Sequence, residues 1–265
     1  YVGTACATPR LLCEMLENLV DPPPNITLYH FMTDGAVPLK GGKLSTRYRH
    51  KCFFVGSDLR TAVAKGLAEY IPVSLSQVPK LVENGRIPID VAFIQVSPPD
   101  EFGYSSLGVS VDVTASMVQN ARRVIAEINP NMPRTTGDSL VHVSRFDRMV
   151  WYDTPVIEVP AVPTDEVTEQ IARRIASIVE DRSTLQIGLG RVTNEALKYL
   201  ADRQDLGIHS DVITDAIIPL LEKGILTGER KTHQPRKIVT SFAMGSRRLY
   251  DLIDRNPLFS FQPIE

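Results

Sequence analysis

Short apolar runs alternating with helical periodicity organise the first part of the chain. Ile26 to Phe31, Cys52 to Val55, Val91 to Val96 and Val124 to Ile128 are apolar stretches of strand length, and a helical pattern spans Leu59 to Ala68. That alternation predicts an α/β fold on an open, mostly parallel sheet. The stretch Thr154-Pro-Val-Ile-Glu-Val-Pro-Ala-Val-Pro163 cannot continue a helix and is expected to connect two domains. Residues 1–160 then form an N-terminal α/β domain and 161–265 the first part of a second.

The second series opens with a helix over Asp165 to Glu180. Its apolar residues Val167, Ile171, Ile175 and Ile178 fall on one face, Arg173 and Arg174 lie off that stripe and face water, and Thr164 is the expected N-cap. A strand over Thr184 to Ile187, a Gly-x-Gly turn and a helix to about Leu200 follow. Next come a strand over Leu206 to Ser210 and a helix to Lys223, with Ile213, Ala216, Ile217, Leu220 and Leu221 as its apolar face and Gly224 at C′. Leu258-Phe-Ser-Phe-Gln262 begins another strand. The expected architecture is α/β, two related open, mostly parallel domains with the second incomplete.

Composition narrows the function classes. In 265 residues, 43% hydrophobic and 23% charged, there is apolar surface enough for a sizeable core. Twenty-nine basic against 31 acidic residues leave a formal charge of −2, so no global field points to nucleic acid or an anionic membrane. No apolar run approaches the roughly 18 residues of a membrane-spanning helix, and the first residues carry no leader pattern; a cytoplasmic protein is expected. The chain opens as if inside a strand and without methionine, so its natural amino terminus is expected to lie elsewhere. Cys6, Cys13 and Cys52 have neither disulfide-framework nor metal-ligand spacing, and the five histidines are scattered. Buried free thiols and no metal site are the expectation.

Three segments could carry chemistry. The strand Val91 to Val96 runs into Ser97-Pro98-Pro99-Asp100 and then Gly103, a stiff, tightly turned loop with hydroxyls at a strand's carboxyl end. Gly188-Leu189-Gly190-Arg191-Val192 is a strand-to-helix turn whose backbone N–H groups could hold phosphate or carboxylate, or could simply be a tight turn. Asp211 follows it at about the distance of a ribose-binding acid, which suggests a dinucleotide site; Thr193 at the third glycine position argues against one. The third segment, Leu206 to Phe242, holds Asp211, Asp215, Lys231, His233 and Lys237. A lone Asp before a helix is usually an N-cap, and basic loop residues are usually solvated, though such a loop could receive phosphates.

The joint pattern is more specific. Gln95-Val-Ser-Pro-Pro-Asp-x-x-Gly-Tyr-x-Ser-Leu-Gly108, Ile128-Asn-Pro-Asn-Met-Pro-Arg-Thr-x-Gly-Asp138, Ile187-Gly-Leu-Gly-Arg-Val-Thr-Asn194, Leu206-Gly-Ile-His-Ser210 and Lys237-Ile-Val-Thr-Ser-Phe-x-x-Gly-Ser246 occur in order along nearly the whole chain. Together they resemble the acetyl-CoA hydrolase/transferase family, nearest its 4-hydroxybutyrate CoA-transferase branch. The resemblance implies a transferase with Asp211 as the covalent carboxylate, Gly188 to Val192 as a CoA-contacting segment, and acyl-CoA and a small carboxylate as substrates, without a permanently bound cofactor. The acceptor is 4-hydroxybutyrate or, equally compatibly, a dicarboxylate such as succinate or itaconate. Acyl-CoA hydrolysis, a non-catalytic CoA-binding protein and an NAD-binding oxidoreductase are the alternatives. It also implies a homo-oligomer and a family length well beyond the point matching Glu265, so the chain is expected to be a fragment. Two departures stand out. The family usually carries Glu where this chain has Asp211, and Asp is shorter by one methylene. An activated Asp carbonyl is also open to attack by the next backbone nitrogen, closing a succinimide, which the stiff β-branched Val212 should hinder.

Overall fold

A computed structural model describes residues 1–33, 47–160 and 163–264; Ala161 and Val162 of the expected connection lie outside the described residues, as does Glu265. The chain divides into two compact units: residues 1–134, 139–157 and 263–265, and residues 135–138 and 158–262.

The first unit begins at the centre of its sheet. Val2 pairs in parallel with His30 on one side and Phe93 on the other. A 3₁₀ turn (Ala5–Ala7) and α1 (Arg10–Glu17) lead to β1 (Thr27–His30), β2 (Arg49–Cys52), α2 (Ser57–Ala64) and β3 (Glu69–Tyr70). Then come α3 (Val78–Glu83), β4 (Val91–Val96), β5 (Tyr104–Ser106), α4 (Thr114–Asn120), β6 (Arg123–Ile128), β7 (Leu140–His142) and β8 (Arg148–Trp151). The order across the sheet is β3-β2-β1-Val2-β4-β6-β8, every pair parallel. β5 and β7 form a separate antiparallel pair. Ala92, Ile94, Val96, Val124, Ala126 and Ile128, on alternate positions of the two strands, are wholly buried and line one fully covered face of the sheet centre. The direction of winding reverses beside Val2, so the crevice that open α/β sheets offer to ligands lies at the carboxyl ends of the Val2 strand and β4. The Ser97 loop leaves β4 there.

The second unit contains α5 (Glu166–Ile178), β9 (Thr184–Leu185), α6 (Arg191–Lys198), β10 (Gly207–Ile208), β11 (Val212–Ile213), a 3₁₀ turn (Asp215–Ile217), α7 (Ile218–Glu222), β12 (Ile238–Thr240), β13 (Phe242–Ala243), α8 (Arg247–Ile253) and β14 (Phe259–Phe261). Its strands run parallel in the order β9-β10-β12-β14, joined in part by a His209–Val239 bridge, and Gly137 adds an edge contact to Phe261. Gly137 has φ +99°, and a Cβ there would fall 2.3 Å from the Phe261 carbonyl oxygen. That approach requires glycine.

Three sequence expectations need correction. The apolar stripe of α5 stays exposed: Val167 at 66%, Ile171 at 43%, Ile175 at 40% and Ile178 at 79%. The helix instead buries Thr168, Ala172 and Ala176 and packs on α6, because short side chains let two helices approach closely. Tyr199 Oη donates to Glu169 at 2.9 Å across the pair, and Arg173 lies 4.2 Å over the Tyr199 ring. Secondly, Asp165 rather than Thr164 is the N-cap, its carboxylate accepting the Thr168 amide at 2.8 Å. Thirdly, Ile213 belongs to β11 and not to the helix, which starts later; Gly224 ends that helix at φ +69°, as expected.

Candidate functional site

Asp211 sits at a bend. β10 and β11 are successive segments of one strand path, as are β12 and β13 beside it, and Asp211 is the residue where the path breaks. Its carbonyl accepts the Ser241 and Phe242 amides at 3.0 and 2.9 Å. Ser210 repairs the β9 side of the break: its hydroxyl accepts the Ile187 amide at 2.9 Å and donates to the Ile187 carbonyl at 2.7 Å, doing the work of a peptide group. The half-buried Asp211 side chain therefore stands on a backbone pinned from both neighbours. Its Oδ1 accepts from Gln186 Nε2 at 3.2 Å and from the Val212 amide at 3.0 Å, with Ser210 Oγ at 3.4 Å.

Gln186 had no signal in the sequence; only the pairing of β9 with β10 brings it to Asp211. It also leads directly into the glycine turn. At Gly188 an added Cβ would meet nothing within 4 Å, and Gly190, at φ +156°, is the N-cap of α6 and supplies no side-chain cap. The first amides of α6 are thus left for another acceptor. Arg191 pairs with Asp165 at 3.3 Å, both half exposed, a surface contact that holds it weakly. The turn borders a cavity of about 530 Å³ whose walls include Leu189, Gly190, Arg191, Asn194, Thr214 and Asp215. Asp211 is not in its lining. Asp215 accepts the Ser246 amide and hydroxyl, each at 2.8 Å.

The basic loop residues have other work. Lys231 is buried and its Nζ donates to the carbonyls of Ile208 and Lys237 at 2.7 and 2.6 Å. Its stem runs over Gly207, where a Cβ would be 2.6 Å from Lys231 Cγ. Burial brings the amine down to about 8. Lys237 Nζ donates to the Pro257 carbonyl. The phosphate-receiving role open to Lys231 in the sequence is replaced by a clamp between β10 and the start of β12. His209 stacks at a tilt with His233, centroids 5.6 Å apart, and burial, then Lys231 and His233, lower its pKa.

In the first unit, the Ser97 loop is held by its own side chains. Ser97 Oγ accepts the Ser106 amide at 2.9 Å, Ser106 Oγ accepts the Gly108 amide at 3.0 Å, and Pro98 and Pro99 stiffen the turn between. Asp100 Oδ1 accepts the Phe102 and Tyr104 amides, and Arg134 reaches Asp100 Oδ2 at 2.5 Å. The Tyr104 amide, with the Arg134 guanidinium behind it, keeps the Asp100 carboxyl below its ordinary range. Gly103 has φ +80°, and a Cβ would lie 2.9 Å from His142 Nε2. Asp100 therefore organises the loop, and Arg134 is a partner that sequence reading missed. Among the described residues there is no cluster fit for a metal ion and no helix long and apolar enough to cross a membrane.

Residues 1–190 match the model of the acetyl-CoA hydrolase/transferase N-terminal domain. The chain is 40% identical over 233 residues to the 4-hydroxybutyrate coenzyme A transferase of Clostridium kluyveri, covering 88% of this chain and 54% of that protein. It is 35% identical over 265 residues to the succinyl-CoA:acetate/propanoyl-CoA:succinate CoA transferase of Fasciola hepatica, covering 97% and 54%. Among solved structures, RipA from Yersinia pestis superposes with a TM-score of 0.89 at 31% identity over 99% of this chain and 64% of that one. The 4-hydroxybutyrate CoA-transferase of Porphyromonas gingivalis gives 0.84 at 32% over 99% and 62%. The chain belongs to the acetyl-CoA hydrolase/transferase family, and it spans about half the length of the curated relatives it matches. Asp211 lies beyond the matched N-terminal stretch.

Proposed function

We propose that this chain belongs to a CoA-transferase that moves CoA from acetyl-CoA or succinyl-CoA to a small carboxylic acid such as 4-hydroxybutyrate, through an enzyme-CoA thioester on Asp211. The observation that carries this reading is the Asp211 carboxylate on a pinned bend, one oxygen held by Gln186 and the Val212 amide. The carboxylate attacks the acyl-CoA carbonyl and expels CoA thiolate, giving a mixed anhydride; the thiolate then adds to Cγ of Asp211 and releases the first acid. The acceptor carboxylate reverses these steps with the new acyl group, and water at either intermediate gives hydrolysis. Gly188 to Val192 would contact CoA, supported by the uncapped first turn of α6 and the adjoining cavity, and remote binding of the long CoA tail would place the reacting centre. Ser97, Pro98, Pro99, Asp100 and Gly103 would shape the substrate loop, supported by their place after β4 at the sheet's switch point.

The acid is the finer part of the proposal; the two curated relatives above are named for different ones. Domain limits near residue 160 and a homo-oligomeric assembly belong to the same reading. A cytoplasmic location is supported by three buried cysteines, Cys6, Cys13 and Cys52, kept as thiols, which suit a reducing compartment. The test is incubation of the full chain with acetyl-CoA and borohydride, followed by peptide mapping. Reduction of the Asp211 carboxyl to a primary alcohol, abolished by Asp211→Asn, is expected. CoA binding with no reduced aspartate overturns the covalent role.

A further inference from the structure

The two oxygens of Asp211 have different surroundings. Gln186 Nε2 and the Val212 amide both donate to Oδ1, at 3.2 and 3.0 Å. Ser210 Oγ lies 3.4 Å from the same oxygen, but its single proton is directed to the Ile187 carbonyl at 2.7 Å and is not available twice. Among the described residues no donor hydrogen-bonds Oδ2, and no titratable side chain hydrogen-bonds the carboxylate. The Val212 donor is backbone, fixed by the strand that follows. The Gln186 donor is a neutral amide on an exposed side chain, carried by a residue between β9 and the glycine turn.

We infer that Gln186 and the Val212 N–H form a two-donor seat for the carbonyl oxygen of the Asp211 acyl intermediates, with Oδ2 as the attacking oxygen. This rests on Asp211 being the covalent carboxylate. Oδ2 bonds to the acyl carbon as the C–S bond of acyl-CoA breaks, and Oδ1 becomes the carbonyl oxygen of the aspartyl half of the anhydride. When CoA thiolate adds to Cγ, the electron pair of the C=O bond moves onto Oδ1. Collapse breaks the Cγ–Oδ2 bond and the first acid leaves with that oxygen. The acceptor carboxylate then adds to Cγ of the thioester, again charging Oδ1, and CoA thiolate departs. Finally the thiolate takes the new acyl group and the carboxylate is restored, with the acceptor's oxygen in place of the one lost. Each addition at Cγ develops charge on the one oxygen that already has two donors aimed at it, so the seat strengthens in the transition state.

Gln186→Met removes the donor without adding charge, and Gln186→Glu replaces it by a carboxylate of the same shape. At an exposed position neither should disturb folding. Both are expected to lower kcat about 100-fold with the acyl-CoA KM little changed, as for loss of one oxyanion donor. Gln186→Glu should also move the acid limb of the pH–rate profile to higher pH, and further than Gln186→Met does, because a second carboxylate against Oδ1 disfavours the charged form more than loss of one neutral donor. Borohydride should still mark Asp211 in both variants, more slowly. Wild-type kcat in either variant, a loss confined to KM, or an unmoved limb in Gln186→Glu overturns the seat. A wild-type enzyme that turns over while Asp211 is never marked overturns the nucleophile reading instead.

Discussion

At the scale of single residues, the Asp211 bend carries a liability alongside the covalent role proposed for it. The Val212 amide that donates to Oδ1 at 3.0 Å is the nitrogen that could attack Cγ once the carboxyl is activated. Attack would close a five-membered succinimide, expelling CoA thiolate with the amide proton. Val212 is wholly buried, and its branched side chain restricts the rotation that would swing nitrogen over the carbonyl face. Val212→Gly should therefore accumulate, during turnover with acetyl-CoA, an enzyme form lighter by one water, seen by intact-mass spectrometry and mapped to the Asp211 peptide; its absence after many turnovers would sink the idea. The candidate residues Asp211, Gly188, Gly190 and Gly103 stand out in the sequence through the joint pattern of motifs around them, since each taken singly reads as an ordinary cap or turn residue. Gln186 and Arg134 were not. A glutamine at the end of a short strand and an arginine after a proline acquire meaning only from partners 25 and 34 positions away.

At the scale of elements, the strands were easier to read than the helix faces. β4 and β6 emerge close to their apolar runs because alternate residues of each, Ala92, Ile94 and Val96 and Val124, Ala126 and Ile128, fill one wholly buried face. α5 misled because periodicity marks an apolar face without saying which face a neighbour will take. Val167, Ile171, Ile175 and Ile178 form the stronger stripe, yet Ala172 and Ala176, at 0% and 3% exposure, are the residues that α5 buries as it packs on α6. Size decided the packing, not hydrophobicity. Ile171→Lys and Ile175→Glu should accordingly shift unfolding free energy by less than about 0.5 kcal/mol. Ala172→Leu, which must fit new volume into a close helix contact, should cost about 1–3 kcal/mol. Urea unfolding of the three variants distinguishes the cases, and the reverse ranking would mean that the isoleucine face is the packed one.

For the molecule as a whole, the α/β class and parallel sheets followed from the alternation of apolar runs, whereas the exchange of short segments between units, residues 135–138 into the second and 263–265 into the first, left no trace in the pattern. Two units also mean that one unfolding curve need not describe the chain. The only tryptophan, Trp151, is on β8 in the first unit, so its fluorescence reports that unit. A titratable group is buried in the same unit. His30 Nε2 and His50 Nδ1 are 3.0 Å apart, the rings are stacked, and both side chains are buried. Burial, then the neighbouring His50, bring His30 down to about 3. Its folded pKa thus lies below the unfolded value of about 6.5, so between those values the unfolded chain binds a proton that the folded chain does not. The stability is present above about pH 6.5 and is lost as pH falls, by up to about 1.4 kcal/mol per pH unit. Asp112 and Glu127, raised by burial, act in the opposite sense, since the folded state protonates them first. A difference measurement removes their contribution. His30→Gln keeps an amide toward His50 and does not titrate, so between pH 7 and pH 5 the wild-type first unit should lose about 2 kcal/mol more than the variant in urea unfolding followed by Trp151 fluorescence. Equal losses would show that His30 is not the group that makes this unit sensitive to acid.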